Sequence, residues 1–489
     1  MMKPVGSRTD GTISSFSLNR SLTGTLQKAP ASEISVRRAG AFFANQPPQM
    51  GVPAHDAGNA KIESELELIR FRQRTYLQIT IWTAAAVVGG AAVLFARLIE
   101  VAQKFYFTLV HGFPYLVLIG TPLLFVAATL IVQKFGPEAR GSGIPQVLEA
   151  IDHANDAEIV EPPWLSPLVS LRTACVKIIS ATVGIVAGAS IGREGPTVQI
   201  AASVFAWFGR ITRRILPQAD FQTFLTAGAA AGVAAAFNAP LAGITFALEE
   251  VTEGMFGQFR EMIMLAVILS GIAAMALSGN YLYFGHPAVA SSTAILVPET
   301  LILGVVGGLL GGVFARLLAY PDLVHLPSQP WKKALYCGIL CSAVGYFSGG
   351  TTAGSGYEIT RKFLESSSID QWPLFFGLEK FCTTVLSYLS GMAGGIFSPC
   401  LSIGAGLGFS VAKIFHFANF KVCALLGMVA FFSGVIQAPL TAVIIIMEMT
   451  DEHILIIPFM VAAFLARRIG QVFMPVPLYR FLADKSGKG

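Results

Sequence analysis

Ala239-Pro-Leu-Ala-Gly-Ile-Thr-Phe-Ala-Leu-Glu249 and Ala438-Pro-Leu-Thr-Ala-Val-Ile-Ile-Ile-Met-Glu448 read as two versions of one segment, with the acid nine residues after the proline in each. Two further echoes occur in the same order. Arg140-Gly-Ser-Gly143 is matched by Ala353-Gly-Ser-Gly356, and Gly192-Arg-Glu-Gly-Pro196 by Gly395-Ile-Phe-Ser-Pro399. All three pairs are offset by about 200 to 213 residues. Three ordered echoes point to a duplicated unit, and repeats of this kind meet at a substrate site near the bilayer midplane.

The composition fixes the solvent. Of 489 residues, 54% are hydrophobic and only 13% charged, against about 25% charged in an ordinary soluble domain. A mean hydropathy of +0.63 over that length leaves too little polar surface to cover a globular core. The net charge of +5 lies mainly in termini and loops, so it reads as membrane topology and not as a nucleic-acid footprint. Six cysteines, at 175, 337, 341, 382, 400 and 423, all fall in apolar segments without metal-type spacing; they read as small hydrophobes in helix packing.

Long apolar stretches at 77–110, 115–133, 166–191, 258–278, 294–319, 331–348 and 453–474 are each near or above the roughly 20 residues that a spanning helix needs. Between them lie shorter, glycine-rich apolar pieces at 143–151, 194–209, 221–236, 238–250, 396–415, 421–434, 438–449 and 477–483. Broken helices at membrane depth are tolerated only inside protein or beside an aqueous cavity. The expected fold is therefore an all-α polytopic membrane protein built from two inverted-topology repeats of broken and tilted helices.

Residues 1–60 read as a disordered tail, with a transit peptide left open by their Arg and Ser content. Residues 61–75 suit an amphipathic helix on the membrane surface. The first membrane repeat is expected over 76–270 and the second over 271–484, leaving 485–489 as a short tail with no regulatory domain. Arg70, Arg72 and Arg74, then Arg210, Arg213 and Arg214, then Arg467 and Arg468 mark the cytoplasmic side.

Three of the broken helices open after glycine turns: Gly141-Ser142-Gly143, Gly192-Arg193 and Gly394-Gly395. Glycine allows the tight backbone, and each first turn then presents free N–H groups. Helix N-termini and hydroxyls bind a small anion while leaving it mobile, which a fully paired Lys or Arg does not. Three converging N-termini make an anion site, to which Ser142 and Tyr479 add hydroxyl donors.

Gly141-Ser-Gly-Ile-Pro145, Gly192-Arg-Glu-Gly-Pro196, Gly394-Gly-Ile-Phe-Ser-Pro399 and Pro477-Leu-Tyr479 closely resemble the motifs of the CLC family of chloride channels and chloride/proton antiporters. The resemblance covers roughly residues 61–484 in family order and spacing. It implies a homodimer and assigns roles by position. Ser142, Tyr479 and the N–H groups of Ile396 and Phe397 hold the central chloride. Glu194 is the external gating glutamate and Glu250 the internal proton-transfer glutamate that marks antiporters. The motif frame is Gly141, Gly143, Pro145, Gly192, Arg193, Gly195, Pro196, Gly395 and Pro399. A serine at 142 resembles the chloride-preferring members. Glu249 and Glu448 read as structural.

The implied activity is secondary active exchange of chloride for protons in a bacterial inner membrane, with the lipid bilayer as surroundings. No cofactor, nucleotide or nucleic acid is expected, and the protein is not expected to be an enzyme. A passive voltage- or pH-gated chloride channel on the same scaffold is the alternative; Glu194 and Glu250 together argue against it. An intramembrane serine protease, suggested by Gly188-Ala-Ser190-Ile-Gly192, lacks a central histidine base. A symporter of organic anions lacks an Arg clamp for carboxylate. Lys177, inside an apolar span, needs a partner, for which Glu149 is a candidate. Gln146, Val147 and Leu148 stand where bacterial relatives often carry acids, and Thr252–Phe259 is expected to reshape the inner proton entrance.

Overall fold

The computed structural model describes residues 54–155, 166–216, 220–251, 260–279, 282–285, 287, 297–366, 368–369 and 372–486. Most of the expected tail, the later part of the acidic run after Asp152, and Thr252–Phe259 lie outside the described residues. The chain divides into two units, Met1–Leu68 and Ile69–Gly489. The stretch 61–75, expected as a separate surface helix, belongs to a continuous helix, α1 (Ala54–Gly112).

Among the described residues every regular element is helical. After α1 come α2 (Pro114–Phe135), α3 (Ile144–Asn155), α4 (Leu171–Val186), α5 (Glu194–Ile215) and α6 (Phe221–Phe237). Then follow α7 (Pro240–Phe246), continued by a π turn (Ala247–Val251), and α8 (Arg260–Ser278). The second series is α9 (Val297–Ala319), α10 (Pro330–Phe347), α11 (Tyr357–Glu365), α12 (Phe376–Leu389), α13 (Phe397–Phe415), α14 (Phe420–Ile436), α15 (Pro439–Thr450) and α16 (Ile456–Phe473). A last helix, α17 (Leu478–Ser486), carries Tyr479.

The two series match in order. The motif helices α3, α5 and α7 correspond to α11, α13 and α15. Packing repeats as well: α5 lies on α6 as α13 lies on α14, and α6 on α8 as α14 on α16. The expected boundary at 270/271 falls inside α8, whose counterpart is α16.

The inversion is visible in one reciprocal contact. Glu249 accepts from the N–H groups of Leu440 (3.0 Å) and Thr441 (2.6 Å) at the start of α15. Glu448, near the end of α15, accepts from Leu241 (3.0 Å) and Ala242 (2.7 Å) at the start of α7. Each acid satisfies N–H groups that the other's helix leaves open. Two helices that cap each other this way must run antiparallel, so the repeats are related by a turn-over.

Among the described residues six segments are long and apolar enough to cross a membrane, including α2, α9 and Glu261–Ser278. The protein is an integral, multi-pass membrane protein. Glu261–Ser278 is only 33% buried in its apolar window and so leaves most of its surface to lipid, whereas Phe397–Phe415 is 78% buried and enclosed by protein. Between α13 and α14 the backbones touch. A Cβ at Gly404 would collide with the Gly427 carbonyl, and one at Gly408 with that of Cys423, the small-residue packing that a bilayer favours.

One expected span differs. The stretch 166–191 forms α4, of 16 residues, which rises about 24 Å at 1.5 Å per residue and falls short of a roughly 30 Å core. It stops because Gly188 turns to φ +74° under the ring of Tyr106. That stop frees residues 187–193 for the turn into α5.

Candidate anion and proton site

The site is framed by main chain. The Gly192 N–H donates to the Gly395 carbonyl (2.7 Å), and the Gly395 N–H donates back to that of Gly192 (2.9 Å). The Gly141 N–H donates to Met392 O (3.0 Å), and the Gly394 N–H to Gly141 O (3.0 Å). These bonds lace the turns before α3, α5 and α13 together. Gly141 and Gly143 hold φ +62° and +98°, a region that residues with a Cβ avoid. Pro145, Pro196 and Pro399 each sit in a first helical turn, where the missing N–H costs nothing.

Neither α5 nor α13 has a side-chain cap: Arg193 and Ile396 precede them without such a bond. Their first-turn N–H groups are thus left to a ligand. Ile396 and Phe397 are buried, and the Phe397 ring packs at 4.7 Å from that of Phe237 and 4.2 Å from that of Phe432.

Ser142 and Tyr479 are buried, and neither hydroxyl makes a hydrogen bond of ordinary geometry among the described residues. The Tyr479 phenol nevertheless lies beside Ser142 and within electrostatic reach of Glu250. A buried donor with no acceptor is costly. Two of them side by side are what an anion would satisfy. Gly195 leaves the room: a Cβ there would collide with the Ser142 hydroxyl and lie 3.0 Å from its carbonyl.

Glu194, at 1% exposure, is the first residue of α5. Its Oε1 accepts from the Tyr283 hydroxyl at 3.0 Å and lies 4.0 Å from Arg193 Nε. Glu250 is buried in the π turn. Arg480 binds the carbonyls of Glu250 (3.1 Å) and Val251 (3.2 Å) and pairs with Asp152 at 3.0 Å. Thus Arg480 ties the Glu250 turn to α3 and to the helix carrying Tyr479.

Lys177 corrects one expectation. Its ammonium donates to the carbonyl of Gly141 at 2.8 Å, with Arg140 O at 3.5 Å, so the partner is backbone and not Glu149. Turning the Gly141 carbonyl toward a cation leaves the N–H side of the turn for an anion. Ser190 is also accounted for: its hydroxyl pairs with Thr384 at 2.7 Å, with no histidine in the bond.

The family model described as "Voltage gated chloride channel" matches residues 123–471. The chain belongs to the CLC family. Its CLC relatives include the H(+)/Cl(-) exchange transporter ClcA of Yersinia pestis bv. Antiqua (strain Angola), 31% identical over 436 residues, or 83% of this chain and 87% of the relative. The protein of that name from Salmonella paratyphi B (strain ATCC BAA-1250 / SPB7) is 31% identical over 445 residues, covering 84% and 90%. Among solved structures, a slow cyanobacterial Cl−/H+ antiporter aligns with a TM-score of 0.72 at 23% identity, over 83% of this chain and 97% of that one. A CLC-type fluoride/proton antiporter aligns at 0.69 and 22%, also over 83% and 97%. At these identities the structures speak for the fold alone.

Sequence reasoning missed three residues here. Tyr283 stands outside any motif. Arg480 follows a motif residue without belonging to it. Lys380 had a signal, since it lies as far from Lys177 as Gly395 from Gly192.

Proposed function

We propose that this protein exchanges chloride for protons across a bacterial inner membrane, as a homodimer with one pathway in each subunit. The observation that carries the reading is the adjacent, buried hydroxyls of Ser142 and Tyr479, which find no hydrogen bond of ordinary geometry among the described residues and are set among turns whose helices open without caps. Chloride is held there by those hydroxyls and by the N–H groups of Ile396 and Phe397. Partial charges alone coordinate it, because Lys177 is directed at a carbonyl. The ion therefore binds and leaves readily.

Glu194 is the exchanging group. Ionised, its carboxylate is favoured at the N-terminus of α5 and takes an anion's place. Protonation removes that reason to stay, and chloride enters. Glu250, toward the other face, relays the proton. A buried acid within a membrane protein is costly to keep without such a role. Two buried acids on either side of the hydroxyl pair favour exchange over passive conduction.

Reconstitution decides between them. In proteoliposomes, an outward chloride gradient is expected to drive proton uptake. Chloride flux without any pH change would leave a channel and remove the antiporter.

A further inference from the structure

Tyr283 lies between α8 and α9, in a short stretch that the motifs do not touch. The Phe284 N–H donates to Met449 O in α15 at 3.0 Å, and Gly285 turns at φ +73°. This anchors the stretch against the second repeat. The Tyr283 ring is held at 4.5 Å from Tyr357, 5.1 Å from Phe284 and 6.2 Å from Phe237, with the Arg193 guanidinium 5.9 Å above it. The phenol is 2% exposed and donates to Glu194 Oε1 at 3.0 Å. Glu194 Oε2 makes no hydrogen bond among the described residues.

Above the pair opens a cavity of 560 Å³ with Arg193 and Tyr283 in its lining. Besides Arg193, six charged groups line it. Arg97 and Glu100 come from α1, and Glu358, Arg361, Lys362 and Glu365 from α11. Arg361 and Glu365 pair at 2.7 Å. Of the other helices near Glu194, α6 has no ionisable residue, and α13 has the buried thiol of Cys400 and, in its last turn, Lys413. Arg193, at 4.0 Å, is the nearest charge to the carboxylate.

We propose that Tyr283 is the outer latch of the gate, a positioning residue whose hydroxyl holds the ionised Glu194 carboxylate and sets the pH at which it lets go. The proposal rests on the reading of Glu194 as the gate. A donor to a carboxylate stabilises its charged form, so the latch delays protonation as the pH falls. It also ties the gate to the stretch between the repeats, because Glu194 cannot swing inward without breaking this bond. Removing the hydroxyl removes both restraints, and protonation then occurs at higher pH.

The test is the pH profile of chloride flux by the full chain in proteoliposomes. Tyr283→Phe keeps the ring packing and is expected to move the midpoint to higher pH by about one unit, a tenfold change in proton affinity. Tyr283→Leu is the second variant and must move it the same way. In a Glu194→Ala background, Tyr283→Phe is expected to change nothing. A Tyr283→Phe profile that superimposes on the parent's, or an equal shift in the Glu194→Ala background, overturns the latch. A steep pH response surviving in Glu194→Ala alone overturns the gate itself. Infrared titration of the protonated Glu194 carbonyl band, identified by its loss in Glu194→Ala, needs no transport: appearance at the same pH in parent and Tyr283→Phe also overturns the latch.

Discussion

Lys177 and Lys380 perform the same task in the two repeats. Both are fully buried, and each ammonium binds carbonyl oxygens of the turn that opens a broken helix: Gly141 for Lys177 at 2.8 Å, Thr352 and Gly354 for Lys380 at 2.7 Å each. The serines of the two turns differ: Ser355 Oγ accepts from the Tyr357 N–H at 3.3 Å, whereas Ser142 lies beside Tyr479. The two lysines therefore separate structural cost from anion binding.

Lys177→Met is expected to weaken chloride binding about tenfold, on the order of 1.4 kcal/mol, because the Gly141 carbonyl loses the charge that turns it away from the anion. Lys380→Met should destabilise the fold by about 1–3 kcal/mol through its abandoned carbonyls and leave chloride affinity near that of the parent. Calorimetric titration with chloride, beside thermal unfolding in detergent, checks both. Equal loss of affinity in the two variants would contradict the assignment.

Glu250→Gln keeps the size of the side chain and removes its proton. Chloride flux is expected to persist while proton uptake disappears. Simultaneous recording of chloride efflux and external pH from vesicles reads both, and coupling retained in the variant would take Glu250 out of the proton route.

Gly195→Ala places a methyl group against the Ser142 hydroxyl. The helix accepts alanine, so the protein should fold, but Ser142 has to turn away from Tyr479. Chloride affinity is expected to fall by about an order of magnitude, in keeping with the 1–3 kcal/mol typical of overpacking. Unchanged affinity would mean that Ser142 does not touch the ion.

Glu249→Gln and Glu448→Gln each weaken a two-bond cap. A loss of about 1–2 kcal/mol is expected for each, with exchange still coupled, since neither acid lies on the proposed route. Thermal unfolding monitored by size exclusion, together with the coupling ratio, tests this. Uncoupling in either variant would give the acid a transport role.

Much of this site was legible because its parts are local. Glycine turns and first-turn prolines are written within five or six residues, and the duplication repeats them. Apolar length located α2, α9 and α10 to within a few residues. It failed for α11, which is polar on one face, and for α12, whose Glu379 and Lys380 interrupt the apolar run. It also joined α4 to the turn that follows, because hydropathy does not register a reversal at Gly188. Tyr283 was invisible for another reason. Its importance lies in a bond to a residue 89 positions away, and a single aromatic in an apolar neighbourhood carries no such message.

The bonds between Gly192 and Gly395, and from Gly141 to Met392 and Gly394, use no side chain, and every one joins the first series of helices to the second. Neither half owns a binding site. A single copy would display these N–H and carbonyl groups unmatched, like one side of a zipper, and another copy turned upside down would close it. Ancestry by fusion of two such copies follows naturally. So does latitude afterwards: with the frame held by backbone, the side chains at 142, 194 and 479 can be exchanged for others while the seam stays shut, which under the proposed function would alter which ion passes.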